Sequence, residues 1–282
     1  LTLSDGTFAG VIRNGTTAGS LVKTGAGTLS LSGANTYTGT TSVNAGTLSL
    51  TGAGALASTV LTVANEATLS VASGASVPQG AVLTANGTVE FAASAVTLLT
   101  LDGASTGLVA LDGTALTLSN GTYGGVIADR STSPGSLVKV SGGTLTLSGP
   151  STYTGTTRVE AGTLSLGGSL ASEVLEIAAG ATFSVTLGGS VPTSSVVTAS
   201  GTLALSGISL TLGTLNGASG GLVTLDGTAM TLSDGTFGGV IADGAGSAGS
   251  LVKVGSGTLS LSGVNTYTGS TAVNAGTLVL SG

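Results

Sequence analysis

Three copies of a Ser-x-x-Lys tetrapeptide are the residues of this sequence that most resemble a reaction centre, and they lie at Ser20–Lys23, Ser136–Lys139 and Ser250–Lys253. In penicillin-recognising enzymes this motif supplies a serine nucleophile. That chemistry needs a helix, because positions i and i+3 of a strand point to opposite faces. The surrounding residues favour strands, and the companion motifs are missing. We therefore predict a structural role for all three copies.

A glycine-rich loop at Gly244–Gly249 fits Gly-x-Gly-x-x-Gly, the dinucleotide fingerprint. The fingerprint requires a helix after the loop to hold the pyrophosphate. Here the pattern predicts a strand at Ser250–Val254, and the equivalent loop Arg130–Gly135 lacks the glycines. We predict a corner loop without a cofactor.

Carboxylates offer a third possibility, since glycosidases and lyases use paired acids. Glu173 and Glu176 are three residues apart, so a strand would separate their faces. Arg158 and Glu160 share a face, which predicts a weak surface ion pair. No acid pair can be picked out, and no enzymatic activity is predicted.

Two further carboxylates occupy equivalent positions in Leu-Asp-Gly-Thr, at Asp112 and Asp226, whereas Asp102 is replaced by Asn216 one repeat later. Replacement of an acid by an amide within a repeat favours a turn over catalysis.

Asn-Gly-Thr glycosylation sequons begin at Asn14, Asn86 and Asn120. Asn120 aligns with Asp5 and Asp234, so turn formation explains it better. The Gly-Gly-x-Gly-x-Asp repeat of calcium-binding β-rolls is absent from the sequence.

The composition removes other chemistries. The 282 residues contain no His, Cys or Trp, which excludes His-based triads, thiol nucleophiles, disulfides and the usual zinc sites. The net charge is −6, which argues against nucleic acid and anionic membrane surfaces as partners. Gly, Ser and Thr interrupt every apolar run, so no membrane insertion is predicted. We expect no metal and no cofactor.

The short sequence Gly-Thr-Leu-Ser-Leu recurs along the chain, and the strands that it predicts would position any functional side chains. Its alternation of polar and apolar residues has period two, which is typical of a strand with one buried face. The threonines of the phrase fall 19 to 21 residues apart, in two series of four. The members are Thr28, Thr47, Thr68 and Thr88, then Thr144, Thr163, Thr182 and Thr202. A fixed period near 20 residues without helical phrases predicts a right-handed parallel β-solenoid, an all-β fold.

The sequence also repeats over a longer distance, of about 115 residues. The Ser-x-x-Lys copies are offset by 116 and then 114 residues. We predict a single continuous solenoid over residues 1–282, with cassettes at 1–115 and 116–229 and a partial third at 230–282.

The alternation also predicts which side chains face inward. Two inward ladders are expected, with Val43, Val63 and Val159 on the opposing wall. Their members are Leu29, Leu48, Leu69 and Val89, then Leu31, Leu50, Val71 and Phe91. The Thr rows should stack outward on a flat face, where they could bind glycan or ice; high strand propensity alone also explains them.

The stretches Ser20–Gly39 and Val43–Leu48, with their later copies, closely resemble the autotransporter-associated β-strand repeat, also called the passenger-associated transport repeat. The resemblance implies a β-helical passenger of a type V secreted protein, often an adhesin, at the bacterial cell surface. It implies no functional-site residues, because the repeat itself has none.

The sequence thus predicts a structural stalk or fibre segment, with a glycan- or ice-binding module as the alternative. Both terminal coils are apolar and have little charge to block strand pairing, since no charged residue follows Lys253. We expect end-to-end association of the chain into filaments.

Overall fold

The computed structural model describes residues 1–282 and contains thirty β-strands and no helix. The fold class predicted from the sequence, an all-β parallel solenoid, is confirmed. The strands are β1 (Thr2–Leu3), β2 (Gly6–Phe8), β3 (Leu21–Lys23), β4 (Thr28–Leu31), β5 (Thr41–Val43), β6 (Thr47–Leu50), β7 (Val60–Val63), β8 (Thr68–Val71), β9 (Ala81–Ala85), β10 (Thr88–Phe91), β11 (Ala95–Asp102), β12 (Leu108–Leu111), β13 (Ala115–Tyr123), β14 (Val126–Asp129), β15 (Ser136–Lys139), β16 (Thr144–Leu147), β17 (Thr157–Val159), β18 (Thr163–Leu166), β19 (Val174–Ile177), β20 (Thr182–Val185), β21 (Val196–Ala199), β22 (Thr202–Ser206), β23 (Leu210–Asn216), β24 (Leu222–Asp226), β25 (Ala229–Phe237), β26 (Val240–Asp243), β27 (Ser250–Lys253), β28 (Thr258–Leu261), β29 (Thr271–Val273) and β30 (Thr277–Leu280).

The chain divides into two compact units, the first comprising residues 1–137 and 149–154, the second residues 138–148 and 155–282. The proposed cassette boundaries stay a prediction, because the two units do not test them. Each unit is a stack of coils in which most strands pair in parallel with the strand two places later in the chain.

In the first unit, the even-numbered strands β2 to β14 form one seven-stranded parallel sheet. The odd-numbered strands β1 to β13 form a second parallel ladder. That ladder shifts register between Leu98 and Thr100, where β11 pairs with β9. The shift leaves Leu99 exposed.

In the second unit, β16 to β26 pair through the even-numbered strands, and β17 to β29 pair through the odd-numbered ones. The long strand β25 takes part in both sheets of the second unit. Its first half pairs with β27, while Gly235–Phe237 pairs with β28, which in turn pairs with β30.

The core of the first unit consists of the predicted ladders. Leu29 pairs with Leu48, which pairs with Leu69, which pairs with Val89, and all four are buried. The Leu31 ladder and the opposing valines are buried in the same way. A single coil cannot bury these side chains, so the stack, and not the coil, is the unit of stability.

Candidate functional site

The Ser-x-x-Lys copies do not form a nucleophilic centre. Ser250 and Lys253 point to opposite faces of β27, as the strand alternation predicted. The structure places the half-buried Ser250 on the outer face and the fully buried Lys253 on the inner face. The Nζ atom of Lys253 donates to three main-chain carbonyls, the nearest being that of Val254 at 2.6 Å. The ammonium group of this lysine therefore bonds to the main chain and is not available as a catalytic group.

The glycine-rich loop is a corner between two strands. It leaves β26 at Asp243 and enters β27 at Ser250, so no helix follows it. Its last amide, on Gly249, donates to Oδ1 of Asp243 at 2.7 Å. The amide of Gly246 donates to Oδ1 of Asp226 at 3.1 Å. The glycine amides thus bind the chain's own carboxylates.

The predicted ion pair between Arg158 and Glu160 is present, with 3.4 Å between Nε and Oε1. Sequence reasoning missed a second contact of the same Nε, to Oε2 of Glu176 at 3.8 Å. Both pairs are about half exposed, so solvent screens them. Glu173 precedes its strand and accepts a bond from Ser194 Oγ at 2.9 Å.

Asp102 and Asn216, which occupy equivalent positions in successive repeats, have the same role. Oδ1 of Asp102 accepts a hydrogen bond from the amide of Thr122 at 2.8 Å. Oδ1 of Asn216 accepts the equivalent bond from the amide of Thr236 at 3.1 Å. Because an amide oxygen serves as well as a carboxylate, the position supports the backbone of the next coil.

A recurring side-chain clamp at the long corner loops was not predicted. Asp129 Oδ1 accepts from the amide of Gly135 at 2.6 Å, and its Oδ2 accepts from the amide and hydroxyl of Thr154. Asp243 makes the matching bonds, and those from Thr268 and Gly249 lower the pKa of its carboxyl. Asn14, one of the sequon residues, has this role in the first cassette. The sequence feature that could have indicated this clamp is the Asp or Asn residue that precedes each of the three loops.

The outward threonine rows are present as predicted. Thr28, Thr47, Thr68 and Thr88 are register partners on neighbouring strands, and the four threonines from Thr144 form the second row. None of the eight hydroxyls makes a hydrogen bond within the chain. Each row is therefore a line of free hydroxyls repeating at about the 4.8 Å strand spacing.

The surface has several shallow hollows. One of about 350 Å³ lies beside the loop from Val71 to Gln79 and is lined by small, apolar and uncharged polar side chains. Another of about 280 Å³ is lined mainly by apolar residues, including Leu1, Phe8 and Leu29. No group of three or more acidic residues is placed to hold a metal ion. The chain forms no helix, and therefore none that could span a membrane.

Comparison with known proteins finds the passenger-associated-transport-repeat at residues 21–50, 137–166 and 251–280. The chain carries three passenger-associated-transport-repeats. It is also 32% identical over 267 residues to the adhesin BmaC autotransporter of Brucella suis biovar 1 (strain 1330). The match covers 90% of this chain and 7% of that protein. No solved structure matches the chain.

Each repeat begins just after one of the long corner loops described above. The first transport repeat spans β3 to β6 and includes the buried Lys23, Asn35 and Tyr37. It is thus a structural unit of two coils in which polar side chains hold the main chain. The chain is a β-solenoid repeat protein related to an autotransporter adhesin.

Proposed function

We propose that this chain is a structural β-solenoid segment of an adhesin passenger, secreted and held at the bacterial cell surface. Its role is to extend the protein and to resist unfolding and proteolysis. It carries no reaction centre of its own.

One observation supports this proposal above the others. The buried lysines and the corner carboxylates of Asp129 and Asp243 are engaged with the chain's own backbone. Catalytic groups must instead be free to meet a substrate in a cleft. The similarity to an autotransporter adhesin agrees with the same role.

The second candidate function is binding of a glycan or of ice by the Thr/Ser face. It is favoured by the unused hydroxyls of the Thr rows and by the adjacent stacked serines Ser30, Ser49 and Ser70. The face has few charges, although Glu90 in the next rung forms an ion pair with Arg130 at 3.2 Å. A neutral hydroxyl surface would suit an uncharged polymer or ordered water.

The finer part of the structural proposal is that 282-residue chains associate end to end. Val273 is 51% exposed and Leu280 is 66% exposed, whereas the equivalent Val43 and Leu50 inside the stack are covered by the next coil. At the other terminal coil, Phe8 is 43% exposed, although its equivalents in later cassettes are buried. Stacking of the first coil of one copy on the last coil of another would cover both surfaces and continue as a filament.

Two measurements separate these possibilities. A glycan array and an ice-recrystallisation assay should both show no effect if the segment is structural. Binding in either assay that Thr47→Val and Thr68→Val abolish would contradict the structural proposal in favour of the second candidate.

Sedimentation velocity over a range of concentrations tests end-to-end association. Species should grow with concentration, and Val273→Lys with Leu280→Lys should return the chain to monomers. Monomers at every concentration would rule out self-association while leaving the structural proposal standing.

A further inference from the structure

Three lysines are fully buried, at positions 23, 139 and 253, one in each transport repeat. None of them takes part in an ion pair. A buried ammonium group without a carboxylate is costly unless hydrogen bonds satisfy its protons. Burial lowers the pKa of Lys23 and of Lys139, and for Lys23 the charge of Asp5 opposes the shift.

Each ammonium group is satisfied by three main-chain carbonyls at a coil corner. Lys23 Nζ donates to the oxygens of Thr24 at 2.8 Å and Gly25 at 2.8 Å, in its own corner. It also donates to the oxygen of Ala45, one coil further on, at 3.0 Å. The two other cages repeat this arrangement. Their acceptors are the oxygens of Val140, Ser141 and Ala161 for Lys139, and of Val254, Gly255 and Ala275 for Lys253.

The neighbours of Lys23 in its inward row are all apolar. Leu3 pairs with Lys23, which pairs with Val43, which pairs with Val63. An apolar row tolerates a slip of two residues between coils, because period two returns an apolar side chain to the same face. Successive coils of this chain have similar alternation, so their hydrophobic pattern distinguishes the correct register poorly.

The hydrogen bonds of the lysine distinguish the correct register from a slipped one. A two-residue slip of β5 against β3 would carry the Ala45 carbonyl about 6.6 Å along the strand, beyond hydrogen-bond reach of Nζ. The ammonium group would then be buried with one partner missing. Buried polar groups are best attested as devices that select one register.

We propose that Lys23, Lys139 and Lys253 are register locks, each fixing the alignment of its own coil with the next one. Their contribution is to the uniqueness of the pairing, and apolar residues of similar length would support the folded stack equally well.

Disulfide trapping tests this, because the chain has no cysteine of its own. Val22 and Ser42 are register partners on the outer face of β3 and β5. Cysteines at both positions report the native register, since directly paired residues lie within disulfide range. Cysteines at Val22 and Thr40, or at Val22 and Asn44, report slips of two residues in either direction.

In the parent chain only the native pair should form efficiently. In Lys23→Met the strand content by circular dichroism should be retained. The ratio of slipped to native disulfide should rise about tenfold, the factor that corresponds to about 1.4 kcal/mol of lost preference. The control is Leu21→Met, a volume-conserving change at a buried position of the same strand, which should leave the ratio unchanged.

Two results would overturn the proposal. An unchanged ratio in Lys23→Met would show that the lysine does not select the register. Loss of strand content would show that it supplies stability instead. Lys253→Met, with cysteines at the paired residues Val252 and Ala272, repeats the test of native pairing in the third cassette.

Discussion

The hydroxyl of Tyr37 lies 2.7 Å from Oγ1 of Thr41, and both side chains are buried in the first unit. Tyr123 is equally buried, but its hydroxyl has no hydrogen-bond partner. At the position equivalent to Tyr123, the third cassette has Phe237, also fully buried. Of these two buried phenols, the hydroxyl of Tyr37 is hydrogen-bonded and that of Tyr123 is not.

Removal of the two hydroxyls should have opposite effects. Tyr123→Phe should raise the free energy of unfolding by about 1 kcal/mol, because it removes a buried hydroxyl without a partner. Tyr37→Phe should lower it by about 1 kcal/mol, because it removes a buried hydrogen bond and leaves the Thr41 hydroxyl without that partner. Guanidinium unfolding followed by far-ultraviolet circular dichroism measures both. Equal losses in the two variants would contradict the assignment.

Stability should fall at alkaline pH through Tyr37. Burial raises the pKa of its phenol to about 12, and the bond from Thr41 only partly opposes this. The unfolded chain releases the proton near pH 10, so between about pH 10 and 12 the native state holds more protons and loses stability as pH rises.

Comparison of Tyr37→Phe with the parent isolates this effect, because the lowered lysine pKa values act in the opposite direction and are common to both chains. The unfolding free energy of the parent should fall relative to that of Tyr37→Phe by about 1.4 kcal/mol per pH unit in that range, so the parent's advantage of about 1 kcal/mol should be lost and then reversed. A difference that stays constant from pH 9 to 12 would show that the Tyr37 pKa is not raised.

A glycine at the lysine corner cannot be replaced. Gly162 has φ +67°, and a Cβ there would lie 2.4 Å from the carbonyl oxygens of Gly143 and Ser141. Gly162→Ala should therefore destabilise the chain by more than about 2 kcal/mol, through clash and left-handed strain together. Gly142→Ala is the matched control, since nothing lies within 4 Å of its Cβ, and should cost no more than about 0.5 kcal/mol. Denaturant midpoints that coincide for the two variants would refute the corner geometry.

The second cassette has a polar position that the structure leaves unsatisfied. Asn35 accepts a bond from the Ile12 amide at 3.0 Å and donates to the Gly33 oxygen at 2.9 Å, and Asn265 makes the same two bonds in the third cassette. Ser151 occupies the equivalent position, buried and with no partner for Oγ. Ser151→Asn should restore the bonds and raise the unfolding free energy by about 1 kcal/mol.

The reverse change provides the control. Asn35→Ser should remove the corresponding bonds and lower the midpoint of thermal unfolding. If Ser151→Asn destabilises the chain as much as Asn35→Ser does, the two sites are not equivalent and the alignment of the cassettes is wrong.

The inward ladders could be read from the sequence because strand alternation fixes them, and Leu48 follows from the residues on either side of it. The burial of Lys23 obeys the same rule, since Lys23 lies two residues after the buried Leu21, but the spacing of the motif predicted only that it lies on the opposite face from Ser20. Only the arrangement of three carbonyls at a corner makes its burial possible.

Other features depend on contacts between coils that no local pattern encodes. Glu66 and Ser141 have positive φ, where equivalent corners of other cassettes have glycine. Neither residue type predicts that conformation. The register shift at Leu98 similarly reflects the pairing of β11 with β9 and not the composition of either strand.

Stretching single chains by their termini tests most directly whether this segment is a mechanical stack of coils. Because each coil contacts only its neighbours, coils should detach one at a time, each releasing about 65 Å from about 20 residues of extended chain. A force trace with regular steps of this size is the predicted result. Release of the whole chain in one rupture, or extension without any steps, would contradict a coil-by-coil stack built to bear load.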